Sequence, residues 1–258
     1  MRLLPIILLV AATAQAASLP TARVVRLNAA DDTGISAAYY APTTNPAPGI
    51  ILLHDYTKNR DEWSTFLPAL QGAGFAILAI DLRGHGESTR RLTAQGPKSL
   101  DYHNFTPRDF QDMLLDVEAA YDWLTEQPGV DKNRIALVGA GLGANLAIRY
   151  GAFNDEVPVF LLFSPSFVYQ DVRADDVIAK LGNRPARICV SQFDGFAFES
   201  CKRLVDLRKD AGNPGATNDF TVCSGDNHGV KMLSNVKQLP GLTIVWLKQT
   251  LEAVPPAK

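Results

Sequence analysis

Short apolar runs of strand length alternate along the chain with segments whose apolar residues recur at helical spacing. Solid runs such as residues 49–54 (GIILLH) and 75–81 (FAILAID) are typical of strands buried on both faces of a sheet. Strands are predicted at residues 23–28, 35–41, 49–54, 75–81, 134–138, 157–163, 187–193 and 220–223, and helices at 61–71, 106–126, 144–148, 171–181, 196–209 and 242–251. This alternation predicts an α/β fold: a mostly parallel sheet of about eight strands, with helices on both faces and no large lid.

The first sixteen residues have the pattern of an export signal. Arg2 supplies a positive charge, residues 3–12 form a short apolar core, and residues 14–16 read Ala-Gln-Ala, as at a cleavage site. We therefore predict a signal peptide over residues 1–16, a single α/β domain over residues 17–258, and a secreted or periplasmic protein. The apolar core is shorter than the ~20 residues needed to span a bilayer, so we expect no membrane span after its removal.

Charge and cysteine content narrow the possible partners and covalent links. The net charge is −2 and no basic block is present, so we expect no nucleic-acid partner. Cys189, Cys201 and Cys223 all lie in the last third of the chain. An oxidising compartment permits one disulfide with one thiol left over, while three buried reduced thiols are the alternative. No histidine or carboxylate spacing indicates a metal site, and we expect no cofactor.

Residues 135–147 (IALVGAGLGANLA) read as a strand, a very tight turn and a helix. A G-x-S-x-G sequence at such a turn places a serine on strained backbone as a nucleophile, while the glycines keep other side chains away. Here the frame at 139–143 is intact, but its central residue is Gly141.

Five motifs, each expected at the carboxyl end of a strand, resemble those of the α/β-hydrolases. They are LLHDYTKNRDEW at 52–63, DLRGHGES at 81–88, GAGLG at 139–143, FDGFA at 193–197 and NHGVKML at 227–233. The resemblance extends over about residues 23–251, in particular to small single-domain serine esterases and dienelactone-hydrolase-like proteins. Within the second motif, Asp81 and Arg83 are expected to form a structural ion pair.

The resemblance implies a role for individual positions of this chain. Gly141 stands at the nucleophile position, Asp194 at the acid position and His228 at the base position. The backbone N–H groups of Leu142 and Tyr56 are expected to form the oxyanion hole. Asp55 stands where the family usually has glycine, and an inward-pointing carboxylate there would repel a developing oxyanion.

These residues favour a protein with a degenerate serine-hydrolase site, because Gly141 can form no acyl-enzyme. Such a protein would bind a small acyl-type ligand or a protein partner. The alternative is an active hydrolase of ester-like bonds, using water activated by His228 or a relocated serine such as Ser164 or Ser166. A purely structural module is a third possibility. Gly141→Ser is expected to fold with equal or lower stability, and to react with a serine probe if the remaining groups are aligned.

Overall fold

The computed structural model describes residues 21–213, 215 and 219–255, and its strands form one large sheet and one small hairpin. The strands are β1 Arg23–Asn28, β2 Thr33–Tyr40, β3 Ala47–Leu53, β4 Ala76–Ile80, β5 Arg90–Thr93, β6 Gly96–Ser99, β7 Val130–Ala140, β8 Val159–Phe163, β9 Val168–Tyr169, β10 Val172–Arg173, β11 Ala186–Ser191 and β12 Phe220–Cys223. The large sheet has ten strands in the order β12-β11-β8-β7-β3-β4-β2-β5-β6, with β1 paired to β2. Neighbouring strands in the part β12-β11-β8-β7-β3-β4 are parallel. The pairs β4-β2, β2-β5, β5-β6 and β1-β2 are antiparallel.

Helices cover both faces of this sheet, as the sequence pattern predicts. The α-helices are α1 Leu67–Gly72, α2 Pro107–Gln111, α3 Leu114–Thr125, α4 Leu142–Phe153, α5 Gly195–Asp210, α6 Lys231–Asn235 and α7 Leu239–Glu252. Successive residues of β3 point to opposite faces: Ile51 and Leu53 join the core under α3, α4 and α5, and Ile50 joins the core under α1, α6 and α7. The α/β-hydrolase fold expected from the motifs is thus confirmed.

Two segments differ from the sequence-based expectation. Residues 83–105, where the sequence pattern predicts neither a strand nor a helix, contain the β5–β6 hairpin, which raises the strand number of the sheet above eight. The helix predicted at 171–181 is wrong. Gln170 and Asp171 have φ of 48° and 60°, which makes a tight turn joining β9 to β10, and only a 3₁₀ turn at Ile178–Leu181 follows.

The segment between β8 and β11 therefore holds only this short hairpin and the 3₁₀ turn, in keeping with the absence of a large lid. In the part of the chain that the structure describes, no helix is long and apolar enough to cross a membrane. The predicted signal peptide at residues 1–16 lies outside the described residues.

Candidate active site

The turn between β7 and α4 contains three glycines at positions where a side chain would collide with neighbouring atoms. Gly141 has φ of 48° and ψ of −113°, a conformation that disfavours residues with a side chain. A Cβ on Gly139 would lie 2.4 Å from the carbonyl oxygen of Gly143, and one on Gly143 would lie 2.3 Å from that of Leu53. The frame of a nucleophile turn is therefore present in three dimensions, with no side chain at its centre.

The carboxylate of Asp55 occupies the space that a side chain at position 141 would need. A Cβ on Gly141 would lie 1.8 Å from Oδ1 of Asp55. The same Oδ1 accepts hydrogen bonds from the backbone N–H groups of Tyr56, at 2.7 Å, and Leu142, at 3.0 Å. The two N–H groups that the sequence assigns to an oxyanion hole thus converge on a carboxylate of the protein itself.

His228 lies between two carboxylates. Its Nδ1 is 2.9 Å from both oxygens of Asp194, and its Nε2 is 3.4 Å from Oδ2 of Asp55. The structure therefore brings Asp194, His228 and the vacant position at Gly141 together, as the sequence predicts. It adds Asp55 on the side where the missing serine would stand.

The charges of this cluster determine its protonation. Burial lowers the pKa of His228, but hydrogen bonding and the charges of Asp194 and Asp55 outweigh burial and raise that pKa to about 10. Burial acts to raise the pKa of Asp55, but His228 and the N–H groups of Leu142 and Tyr56 outweigh it and lower that pKa. At neutral pH the site therefore holds an imidazolium between two carboxylates.

Two side chains hold the backbone of Asp55 in place. Buried His54 donates from Nδ1 to the carbonyl oxygen of Asp55 at 2.7 Å, and its Nε2 accepts from the N–H of Leu82 at 3.0 Å. Burial lowers the pKa of His54 to about 3, so this ring is neutral. Glu62 accepts the N–H of Asp55 at 2.8 Å, a contact that no sequence motif pointed to.

Ser164 connects the loops that carry the acid and the base. Its Oγ donates to Oδ2 of Asp194 at 2.6 Å and accepts the N–H of Gly229 at 3.0 Å. This buried hydroxyl is therefore committed to positioning Asp194 and His228. Ser166 lies close by, and its backbone is held by both side-chain groups of Asn145.

A pocket of about 330 Å³ lies beside His228 and Asp194. Phe193 and Phe196, 69% and 64% exposed, and Tyr169 provide its aromatic lining. A larger pocket of about 530 Å³ lies near the opposite, amino-terminal ends of β7 and β8, away from these groups. The smaller pocket is therefore the one placed to admit a ligand to the Asp–His cluster.

The cysteines and the side chains of Asp81 and Arg83, which the sequence singled out, make no hydrogen bond to this site. Cys189, Cys201 and Cys223 are all free and buried. Among the described residues, no group of three or more histidine, cysteine or acidic side chains could hold a metal ion. The expected pair of Asp81 with Arg83 is wrong: Asp81 pairs with Arg60, while Arg83 turns away to other acids.

Comparison with known proteins agrees with this architecture. The profile described as the alpha/beta hydrolase family matches residues 50–240, which is most of the chain. The chain belongs to the alpha/beta hydrolase family. Among solved structures, an esterase of Pyrococcus furiosus superposes with a TM-score of 0.71 at 18% identity, covering 90% of this chain and 92% of that one. A dienelactone hydrolase of Anabaena variabilis has a TM-score of 0.64 at 16% identity, covering 90% and 99%. Likenesses at these identities show the fold alone.

Curated relatives of this alpha/beta hydrolase match over shorter stretches. An uncharacterised protein of Mycobacterium tuberculosis is 28% identical over 131 residues, which is 50% of this chain and 41% of that protein. Epoxide hydrolase B of the same organism is 38% identical over 58 residues, which is 22% of this chain and 16% of the enzyme. A putative non-heme chloroperoxidase of Synechocystis is 27% identical over 161 residues, covering 62% and 47%. In each case the match spans less than half of the relative's length.

Proposed function

We propose that this alpha/beta hydrolase has lost serine-type acyl transfer and retains its site for a small ligand, which binds in the pocket beside His228. The observation that carries the proposal is the position of Asp55, whose Oδ1 accepts both N–H groups of the oxyanion hole. We also propose, on the pattern of residues 1–16, that the protein is exported.

Two features of the site oppose ester hydrolysis by the usual route. Gly141 has no side chain, so no acyl-enzyme can form there. During ester hydrolysis the carbonyl oxygen of the substrate becomes an oxyanion. To reach the two N–H groups it would have to displace the Asp55 carboxylate, which is also negatively charged. Since losing a single oxyanion donor costs about 10²–10³-fold in rate, occupation of both supports an inactive esterase site.

The site also opposes the two alternative routes to ester hydrolysis, which are water activation by His228 and attack by a relocated serine. Water activation requires a neutral imidazole, whereas the raised pKa of His228 keeps this ring protonated at neutral pH. A relocated serine requires a free hydroxyl, whereas that of Ser164 is held by Asp194 and Gly229.

The ligand itself is proposed from the pocket and from the relatives. Aromatic side chains at the pocket favour a small apolar molecule, and an acyl-type ligand would lie outside the occupied hole. Epoxides enter as a second ligand class because relatives matching part of the chain are named epoxide hydrolases. Exposed Phe193 and Phe196 also suit a protein partner, which would be the occupant if no small molecule binds.

The test uses a fluorophosphonate probe and short-chain p-nitrophenyl esters. Wild type should show neither labelling nor turnover. Gly141→Ser alone should also stay unlabelled and lose stability, because its Cβ would lie 1.8 Å from Oδ1 of Asp55. The sequence predicts labelling of this variant only if the remaining groups are aligned, and Oδ1 of Asp55 already accepts both N–H groups of the hole. The double variant Asp55→Gly/Gly141→Ser, which empties the hole, should become labelled at residue 141.

Labelling of the wild-type protein, with the adduct on any serine, would overturn the proposal. The matched control is Asp55→Gly alone, which opens the hole without supplying a nucleophile and should remain unlabelled.

A further inference from the structure

We propose that the pocket beside His228 binds an organic cation, a small molecule whose apolar body carries an alkylated ammonium group. The inference rests on the proposed retention of a small-ligand site and names the chemical class of that ligand. It follows from the juxtaposition of exposed aromatic rings with carboxylates that lack a counter-charge, all lining one cavity.

The aromatic part of the pocket is unusually exposed. Phe193 and Phe196, on either side of Asp194 in the sequence, are 69% and 64% exposed, and partly buried Tyr169 joins them. The ring of Phe167 meets that of Phe196 edge-on, with centroids 6.0 Å apart. Exposed apolar groups that gather at a cavity indicate a binding site more than ordinary surface. The pocket therefore presents aromatic rings to its occupant.

The charged side chains of the pocket are acidic except for His228. Asp194 and Asp226 line it, and no lysine or arginine does. Asp226 is exposed, and within the part of the chain that the structure describes it makes no ion pair. At least one carboxylate of the pocket therefore has no positive charge of the protein beside it.

The positive charge of His228 is already balanced inside the site. Its Nδ1 lies 2.9 Å from Asp194 and its Nε2 lies 3.4 Å from Oδ2 of Asp55. At neutral pH this imidazolium is one positive charge against the three carboxylates of Asp55, Asp194 and Asp226, which gives a net charge of −2. A ligand that brings positive charge would reduce this excess.

One element opposes a cation, and its effect is the smaller. Helix α5 begins at Gly195 beside the pocket, and the amino terminus of a helix acts as about half a positive charge. Asp194 is the residue that precedes this helix, so a full negative charge lies at the same terminus. The carboxylate outweighs the helix dipole, and the charge of Asp226 remains.

The lining of the pocket distinguishes an organic cation from three other kinds of ligand. A neutral apolar molecule would use the rings but leave the carboxylates without a counter-charge, and an anion would be repelled by Asp194 and Asp226. A metal ion would make no use of the rings, and no described group of three or more histidine, cysteine or acidic side chains could hold one. An alkylated ammonium uses both features, because carboxylates and aromatic faces attract its charge while its alkyl groups are apolar.

The experiment compares two probes of one shape that differ in charge. Choline and 3,3-dimethylbutan-1-ol differ in that a quaternary carbon replaces the nitrogen, and both suit a pocket of about 330 Å³, which is small for a ligand site. Each is titrated into the ¹⁵N-labelled full chain and followed by NMR. We expect choline to bind at least about 10-fold more tightly, with shifts at the amides of Gly195 and Phe196. Added salt should weaken the binding of choline more than that of the alcohol.

Two variants separate the contribution of charge from that of the ring. Asp226→Asn should raise the Kd of choline at least about 3-fold and leave that of the alcohol unchanged. Phe196→Leu keeps an apolar side chain but removes the ring, so the Kd of choline should rise more than that of the alcohol. The matched controls are Asp210→Asn, at the far end of α5, and Phe153→Leu, at the end of α4. Both residues are exposed and do not line the pocket, and both variants should bind choline as wild type does.

Two results would overturn the inference. If the alcohol binds as tightly as choline or more tightly, the pocket does not select a cation, although the small-ligand site of the proposed function would stand. If neither probe binds, the inference and the retained ligand site fail together. These readouts use wild-type protein, so they do not depend on the folding of a variant, and fluorophosphonate labelling tests the loss of serine chemistry separately.

Discussion

A side chain at position 141 and the carboxylate of Asp55 would compete for the same space in the site. A serine at 141 would collide with the carboxylate of Asp55, and a glycine at 141 leaves the space in which that carboxylate binds the two N–H groups. The Asp55 carboxylate thus fills the space that a side chain at position 141 would take, and the surrounding groups keep the positions expected of the site. Burial of Asp55 is tolerated because its charge is satisfied by two backbone donors and by His228.

His228 should make the stability of the protein depend on pH. Its folded pKa, about 10, lies above its ordinary value, so its contribution is complete below pH ~6.5 and is lost as pH rises through about 10. Because the side chain is 34% exposed, solvent screening reduces the effect to about 1–2 kcal/mol.

Urea unfolding at pH 6, 8 and 10 measures this effect. The free energy of unfolding of wild type should fall relative to that of His228→Gln across this range. His103→Gln, a change at an exposed histidine, should retain the wild-type dependence. Equal pH dependence in wild type and His228→Gln would contradict the assigned protonation.

At the scale of elements, the site depends on loops that follow several parallel strands. Asp55 follows β3, Gly141 follows β7, Ser164 follows β8 and Asp194 lies between β11 and α5. Because these strands are parallel, their carboxyl ends meet at one edge of the sheet, where ligands bind in such folds. Ser164 ties two of the loops together through Asp194 and Gly229.

Replacing Ser164 by alanine should therefore cost more than a usual serine substitution. The change removes one hydrogen bond to a carboxylate and leaves the buried N–H of Gly229 without its partner, which should cost about 2–3 kcal/mol in the free energy of unfolding. Urea unfolding checks this, with Ser234→Ala, at an exposed serine, as the control. A loss no larger than that of the control would show that Ser164 does not hold the loops.

At the scale of the whole molecule, buried ion pairs connect distant segments around the sheet. Arg83, in the loop after β4, donates to Asp116 of α3 at 2.7 Å and to Asp31 of the β1–β2 turn at 2.8 Å. Asp116 is fully buried, and burial, opposed by the charge of Arg83, raises its pKa to about 6. The long loop after β4 is thereby anchored to the covering helix.

Removing one partner of this cluster should be strongly destabilising. Asp116→Ala removes the fully buried one of the two carboxylates that pair with the guanidinium of Arg83, and breaking a buried pair costs about 3–5 kcal/mol. The control is Asp112→Ala, which breaks a pair with the exposed Arg108 and should cost at most about 1 kcal/mol. Similar midpoints of urea unfolding for the two variants would contradict the anchoring role.

Much of this protein could be predicted from local patterns. Buried strands show as solid apolar runs, and β12 was predicted at Phe220–Cys223 with its observed bounds. The glycine frame pointed to Gly141, and the resemblance of the motifs to the alpha/beta hydrolases pointed to Asp194 and His228, whose side chains the structure places in contact. The hairpin of β9 and β10 was missed because its tight turn depends on left-handed backbone at Gln170 and Asp171, residues with no glycine signal.

The sequence by itself determined the family, the sheet with helices on both faces, and the absence of a nucleophile at residue 141. Only the tertiary structure decided what fills that absence. Asp55 and Leu142 are 87 residues apart, and their contact depends on the side-by-side pairing of β3 and β7 and on the direction of one side chain. Periodicity and motifs describe neighbours along the chain, whereas the hydrogen bonds and the ion pair of Asp55 involve groups that folding brings around it.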